Sequence, residues 1–276
     1  MSTLAYASPL EKAWYYLHRL FCGAVLLFLI APILVTFPLS FNSVPFFSYP
    51  MPGFSLRWYE EFFLTDRWQY ALQNSIIVAV TVTLLSTALG TAAALGLSRP
   101  NFPWRTTVMS LLISPMIVPA VITAVGVYFF YADVGLLNSY TGLILAHTSI
   151  ATPFVVIIVT ATLSGFDDSL ARAAASLGAA PMTVFFKVTL PLIMPGMISG
   201  ALFAFLSSFD EVVIALFVAG AEQRTLPKVM FSGIREEISP TIIAAATVLT
   251  LISIVVLAAA ELLRRRSERL RGLRSS

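Results

Sequence analysis

The sequence predicts an all-α, polytopic membrane protein with six transmembrane helices. Three observations carry that prediction. Hydrophobic residues make up 58% of the 276 and charged residues only 11%, whereas soluble domains carry about 45–50% and about 25%. The surplus exceeds what a soluble surface tolerates, and it equally excludes a disordered chain. The apolar residues gather in six uncharged runs, each long enough for the roughly 20 helical residues that a bilayer core of about 30 Å requires. The runs also lack the period-2 alternation of a membrane barrel, and in lipid a helix satisfies its backbone within its own segment.

In chain order the runs place helices over approximately Leu20–Ser40, Tyr70–Ser98, Thr107–Tyr131, Tyr140–Leu163, Leu192–Ala219 and Thr241–Leu263, all in one domain spanning 1–276. Lys12 and Arg19 precede the first, as in a signal peptide. Its run is too long for one and no small-residue cleavage site closes it, so an uncleaved helix is expected. The single cysteine, Cys22, excludes an intrachain disulfide and reads as a small buried hydrophobe. Between the first two spans, aromatics alternate with charges over Phe54–Phe63, which suits a short interfacial helix. The loop 164–191, between spans four and five, is much longer than a turn. Asp167 and Asp168 are suited to cap a helix start. Leu170, Ala173, Ala174 and Leu177 follow at helical spacing. Gly178 ends that helix, and Pro181 opens a second one over Met182–Lys187. Pro32, Pro38, Pro115, Pro119, Pro153, Pro191 and Pro195 interrupt spans and can kink them. Gly196 to Gly200 and Ala92 to Gly96 allow close helix approach.

The basic residues set an orientation. With the N-terminus inside, 12 of the 17 Lys and Arg residues fall on the cytoplasmic side, which the positive-inside rule favours. Both termini are then cytoplasmic. The cluster Arg264, Arg265, Arg266, Arg269, Arg271 and Arg274 reads as a stop-transfer flank beside anionic lipid, not as a nucleic-acid site.

Several chemistries are absent from the sequence. It has no phosphate-binding P-loop, no His-Glu-x-x-His or Cys-x-x-Cys pair, and no Gly-x-Ser-x-Gly elbow. No cofactor, metal or catalytic residue is expected. His147, in the fourth span beside Thr148 and Ser149, reads as a hydrogen-bonded interior histidine. The main chemical signal is Asp210-Glu211, roughly 27 Å into the fifth span at 1.5 Å per residue. A carboxylate at a helix centre costs about 2.5–3.5 kcal/mol on insertion scales, so it should face protein or a water-filled cavity. Two readings stand. Either both carboxylates mark an outer helix end or a structural bond, or at least one attracts a cationic solute, with Ser207 and Ser208 adding polar atoms nearby.

The most specific pattern is Arg172-Ala-Ala-Ala-Ser-Leu-Gly-Ala-Ala-Pro-Met-Thr-Val-Phe-Phe-Lys-Val-Thr-Leu-Pro191. It resembles the EAA loop of ABC importer permeases. Ala173 and Ala174 match the two alanines, Gly178 the glycine, and Leu190-Pro191 the ending. Arg172 stands where the family has glutamate, and that charge reversal puts the glutamate's salt contact in question. Gly165-Phe-Asp, His147 through Val155, Asp210 through Val213, and the Leu226-Pro-Lys-Val-Met stretch are similar to the second permease of polyamine-type importers. That subgroup also includes opine, aminobutyrate and phosphonate systems.

The resemblance implies a bacterial inner-membrane subunit that does no covalent chemistry. It would pair with a homologous permease, an ABC ATPase dimer and an extracytoplasmic solute-binding protein. Ala171, Arg172, Ala173, Ala174, Ser176, Leu177, Gly178 and Ala179 would dock on the ATPase as a coupling helix. Asp210, Glu211 and Ser207 would line the solute path, for a polyamine such as spermidine or putrescine. Phe54–Phe63 and Glu222–Glu237 would be docking surfaces for the binding protein. A stand-alone secondary transporter is the rival reading, and the long inner loop argues against it. A membrane enzyme is a weaker one, because only Asp210-Glu211 approaches a polar cluster within a span.

Overall fold

A computed structural model describes residues 8–46, 48–99, 102–165, 167–236 and 239–270. Among these the chain is helical, with no strand beyond an isolated bridge between Asn42 and Phe54. Helix α1 (Pro9–Leu39) starts well before the predicted span. Its start is set by a capping box in which Ser8 and Glu11 bond each other's backbone, with Pro9 at the first position. Helix α2 (Arg57–Leu64) is the short helix expected near Phe54–Phe63, and α3 (Asp66–Leu97) is the second span. Helix α6 (Tyr140–Ser164) matches the fourth. Helix α12 (Pro240–Leu270) covers the sixth and continues past it. Arg271, Arg274 and Glu237 lie outside the described residues.

Two predicted spans are not single helices. The third divides into α4 (Arg105–Ile117) and α5 (Ala120–Val134), bent by 101°. Val118 and Pro119 between them are extended, at ψ 132° and 133°. Pro119 has no N–H to continue the helix and its ring disfavours a helical residue before it. The fifth divides into α9 (Leu190–Phe209) and α10 (Val213–Val218), parted at Asp210–Val212. Five described helices are long and apolar enough to cross a membrane, or six with the bent pair taken as one span. Between α6 and α9 lie α7 (Asp168–Ser176), α8 (Pro181–Val184) and a π-helical turn over Phe185–Thr189. The second loop helix therefore runs on into the fifth span instead of standing alone. Helix α11 (Leu226–Glu236), not expected from the sequence, precedes α12.

The centre of the bundle is α3, α6 and α9. Val78, Val82, Val155, Val159, Ile193 and Ala204 form its fully buried core. Lipid is as apolar as these side chains, so burial alone drives little association and close packing has to supply it. Glycines make that packing possible. A Cβ on Gly90 would stand 2.6 Å from Val155 Cβ, and one on Gly200 would stand 3.2 Å from Val155 Cα. One on Gly196 would overlap Thr162. Gly96 has nothing within 4 Å, so it is not itself a close-contact position, unlike Gly196 and Gly200. Helix α1 lies outside this core and none of its residues is buried by the rest of the chain. Cys22 is accordingly exposed, not buried, with Sγ 3.5 Å from His18 Nε2.

Gly196→Ala and Gly90→Ala should each lower the thermal midpoint of the purified protein, through an overpacking cost of about 1–3 kcal/mol. Gly96→Ala should leave it within about 1 °C. Equal midpoints for all three would show that the α3–α6–α9 contact is looser than this packing requires.

Candidate functional site

The two helix breaks face each other across one cavity of about 370 Å³. Its walls come from the α4–α5 bend at Pro115–Ala120, from Ile150 and Phe154 on α6, and from Ser207, Glu211 and Ile214 at the α9–α10 break. Apart from the serine, a threonine and the carboxylate, the lining is apolar. Unwound backbone at membrane depth is tolerated where it lines such a cavity.

The structure separates the two carboxylates. Glu211 lies on the cavity wall, and its Oε1 accepts a hydrogen bond from the Ile214 N–H at 2.9 Å, capping α10. Asp210 ends α9 at φ −100°, is exposed, and is not among the lining residues. The expectation that both sit inside one continuous fifth span is corrected: they occupy a turn between helices. Glu211 both caps a helix and lines the cavity. Ser207 joins it on the wall.

Ser208 faces the other way. Its Oγ lies 3.0 Å from His147 Nδ1, in a buried contact that ties α9 to α6 just before the break. His147 is the eighth residue of α6, so this tie lies roughly 10 Å into the bundle from the start of that helix. His147 is interior and hydrogen-bonded, as its neighbours suggested.

At the end of the bundle where α3 and α6 begin, a polar network holds the segment between α10 and α11. Asn74 Nδ2 donates to the carbonyls of Glu222 and Arg224, at 2.7 and 3.0 Å. Tyr140 Oη donates to Asn74 Oδ1 at 2.8 Å, and Ser75 Oγ accepts from Leu226 N at 2.7 Å. This network was not among the expectations drawn from the sequence. Its signal was the pair Asn74-Ser75, polar residues inside an otherwise apolar run.

At the opposite end, α7 carries the predicted coupling residues. Asp167 Oδ1 and Oδ2 accept from the backbone and hydroxyl of Ser169, at 2.9 and 2.7 Å. These bonds hold its carboxyl below the usual range. The side chain of Asp168 lies outside what the structure describes. Gly178 has φ +84°, Ala179 N donates to Ala174 O at 3.2 Å, and Gly178 N donates to Ala175 O at 2.9 Å. This is a Schellman ending, which needs the left-handed conformation that glycine supplies. Ser176 Oγ bonds the Arg172 carbonyl at 3.0 Å. Arg172 and Ala173 are exposed, Ala171, Ala174 and Ala179 are partly covered, and Leu177 is 89% exposed.

Residues 86–269 match the family described as binding-protein-dependent transport system inner membrane component. The chain is 31% identical to the spermidine/putrescine transport system permease protein PotC of Haemophilus influenzae, over 92% of this chain and 98% of that protein. It is 36% identical to the putrescine transport system permease protein PotI of Escherichia coli strain K12, over 80% of this chain and 81% of that protein. Its fold superimposes on a chain of a bacterial ABC transporter that imports the acidic polysaccharide alginate. That match has a TM-score of 0.71 and 17% identity, covering 95% of this chain and 98% of the other.

Ser208→Ala should leave a buried ring nitrogen without a partner, at a cost of about 1–3 kcal/mol. A thermal midpoint lower by several degrees is expected, and Ser207→Ala should not reproduce it. Equal midpoints for the two variants would mean that the His147 contact contributes nothing.

Proposed function

Because the chain belongs to the family of binding-protein-dependent inner membrane components, and is thus a multi-pass permease subunit of a bacterial ABC importer, we propose that it carries a small cationic solute of the polyamine class. The observation that supports this reading most directly is Glu211 on the wall of the cavity between the two helix breaks. The apolar lining suits methylene segments, and the carboxylate suits an ammonium group. The PotC and PotI relatives, which transport spermidine and putrescine by name, point the same way.

The remaining parts follow from this reading. Both termini are cytoplasmic, so α7 faces the cytoplasm and the α2–α11 end faces outward. A second, homologous permease completes the path and a binding protein delivers the solute from outside. Residues 171–179 dock on a partner ATPase, where ATP is hydrolysed, and this chain performs no covalent chemistry. Leu177, uncovered at the tip of the α7 corner, becomes a buried contact in that assembly. Closure of the ATPases pushes α7. Because α8 runs through the π-turn into α9, the push reaches the helix that ends at Asp210 and Glu211. This helical continuity offers a route for the displacement.

Two experiments test the reading. In proteoliposomes holding the whole importer, Glu211→Gln should raise the apparent KM for putrescine about tenfold, equivalent to about 1.4 kcal/mol, while Asp210→Asn should shift it less. Unchanged kinetics for Glu211→Gln would remove the carboxylate from solute recognition. Gly178→Val places a β-branched residue where φ is positive, at a cost of about 1–2 kcal/mol. It should abolish co-purification of the ATPase, as should Leu177→Asp. Full assembly and transport in both variants would refute the docking assignment.

A further inference from the structure

The cavity between the two helix breaks has one carboxylate and one aromatic ring among its lining residues, Glu211 and Phe154. Phe154 stands on α6 between Pro153 and Val155, both buried, and one turn from Ile150, which lines the same wall. Its ring lies nearly parallel to that of Phe203 on α9, at 9° and with 6.2 Å between centroids, within the range of an offset stack. Phe203 lies one turn before Ser207, on the same face of α9. The stack therefore joins α6 to α9 beside the cavity and sets the plane of the Phe154 ring. It occupies at most one face of that ring.

A solute of the polyamine class carries at least two ammonium groups joined by methylenes. Glu211 keeps acceptor capacity for one of them, since the Ile214 N–H uses only part of it. A second ammonium among aliphatic side chains would lose its water without gaining a partner, which is costly. The face of an aromatic ring is the negative pole of its quadrupole and attracts a cation, the more so where water is excluded. Aliphatic side chains of similar size have no such field.

Resting on the proposed carriage of such a solute, we propose that Phe154 is a specificity-determining residue: its ring takes one ammonium group while Glu211 pairs with another, so that the cavity prefers a diamine to a monoamine of the same length. Phe203 is the positioning residue that holds the ring. A singly charged chain fills the same apolar space and pairs with Glu211, but leaves the attraction of the ring unused.

The test measures equilibrium binding of labelled putrescine to the complete importer in nanodiscs, and its displacement by n-butylamine. The binding protein is omitted, so that only sites in the membrane assembly are read. Phe154→Leu should weaken putrescine about fivefold and leave n-butylamine within about twofold, whereas Glu211→Gln should weaken both. Replacing Phe154 with mono-, di- and trifluorinated phenylalanine should weaken putrescine stepwise, because fluorine withdraws negative charge from the ring face while the ring keeps its shape. The thermal midpoint of the importer should not fall along that series, since the stack on Phe203 persists, and this separates recognition from folding. Putrescine binding indifferent to fluorination, or a loss shared equally by n-butylamine, would overturn the role of the ring and leave the polyamine reading intact. A midpoint that falls in step with binding would make the ring a packing element and overturn it as well. Failure of the unaltered importer to bind putrescine would instead defeat the reading on which the proposal rests.

Discussion

The close contact of α3, α6 and α9 is the constraint on which the other features depend. Lipid gives helices little reason to associate, so atoms must touch to hold them. Gly90, Gly196 and Gly200 remove the side chains that would keep the backbones apart. Once α6 and α9 lie this close, His147 and Ser208 come within 3.0 Å and fix the register of the two helices. That register places the end of α9, with Ser207 and Glu211, opposite Phe154 of α6. The cavity is therefore a consequence of packing set several turns away.

Both interruptions of the spans lie beside that cavity, and the reason is hydrogen bonding. A break leaves N–H and C=O groups without helical partners, which lipid cannot supply. At Glu211 the protein supplies one itself, since the carboxylate accepts the Ile214 N–H. At Pro119 one donor is missing from the outset, and the Val118 N–H still reaches Ser114 O. A carboxylate at this depth thus has a structural role alongside any role towards solute, and a neutral glutamine retains the acceptor while losing the charge.

Hydrophobic runs and turn chemistry were legible in the sequence because they act locally. The unbroken second and fourth spans, the α2 helix, the Asp167 cap and the Gly178 corner each depend on residues within about ten positions. What was not legible depends on neighbours distant in sequence. Pro119 and Pro153 look alike in sequence, yet Pro119 breaks its span and Pro153 sits inside α6. Pro153 is buried among the central helices, while Pro119 is exposed. Likewise, Asp210-Glu211 was visible as charge in an apolar run, but the turn that separates the two side chains was not. The partner of His147 lies 61 residues away and no spacing announces it. Helix α11 was missed because its apolar residues serve a packing surface with Phe62, Trp68 and Ile242 from three other elements.

The scarcity of charge gives the position of each charged group its meaning. Glu211 lies on the wall of a largely apolar cavity, while Arg67, Arg224 and Lys228 line another at the end of the bundle where α11 lies. Under the proposed function, a free cation approaching that end meets repulsion before it reaches the carboxylate.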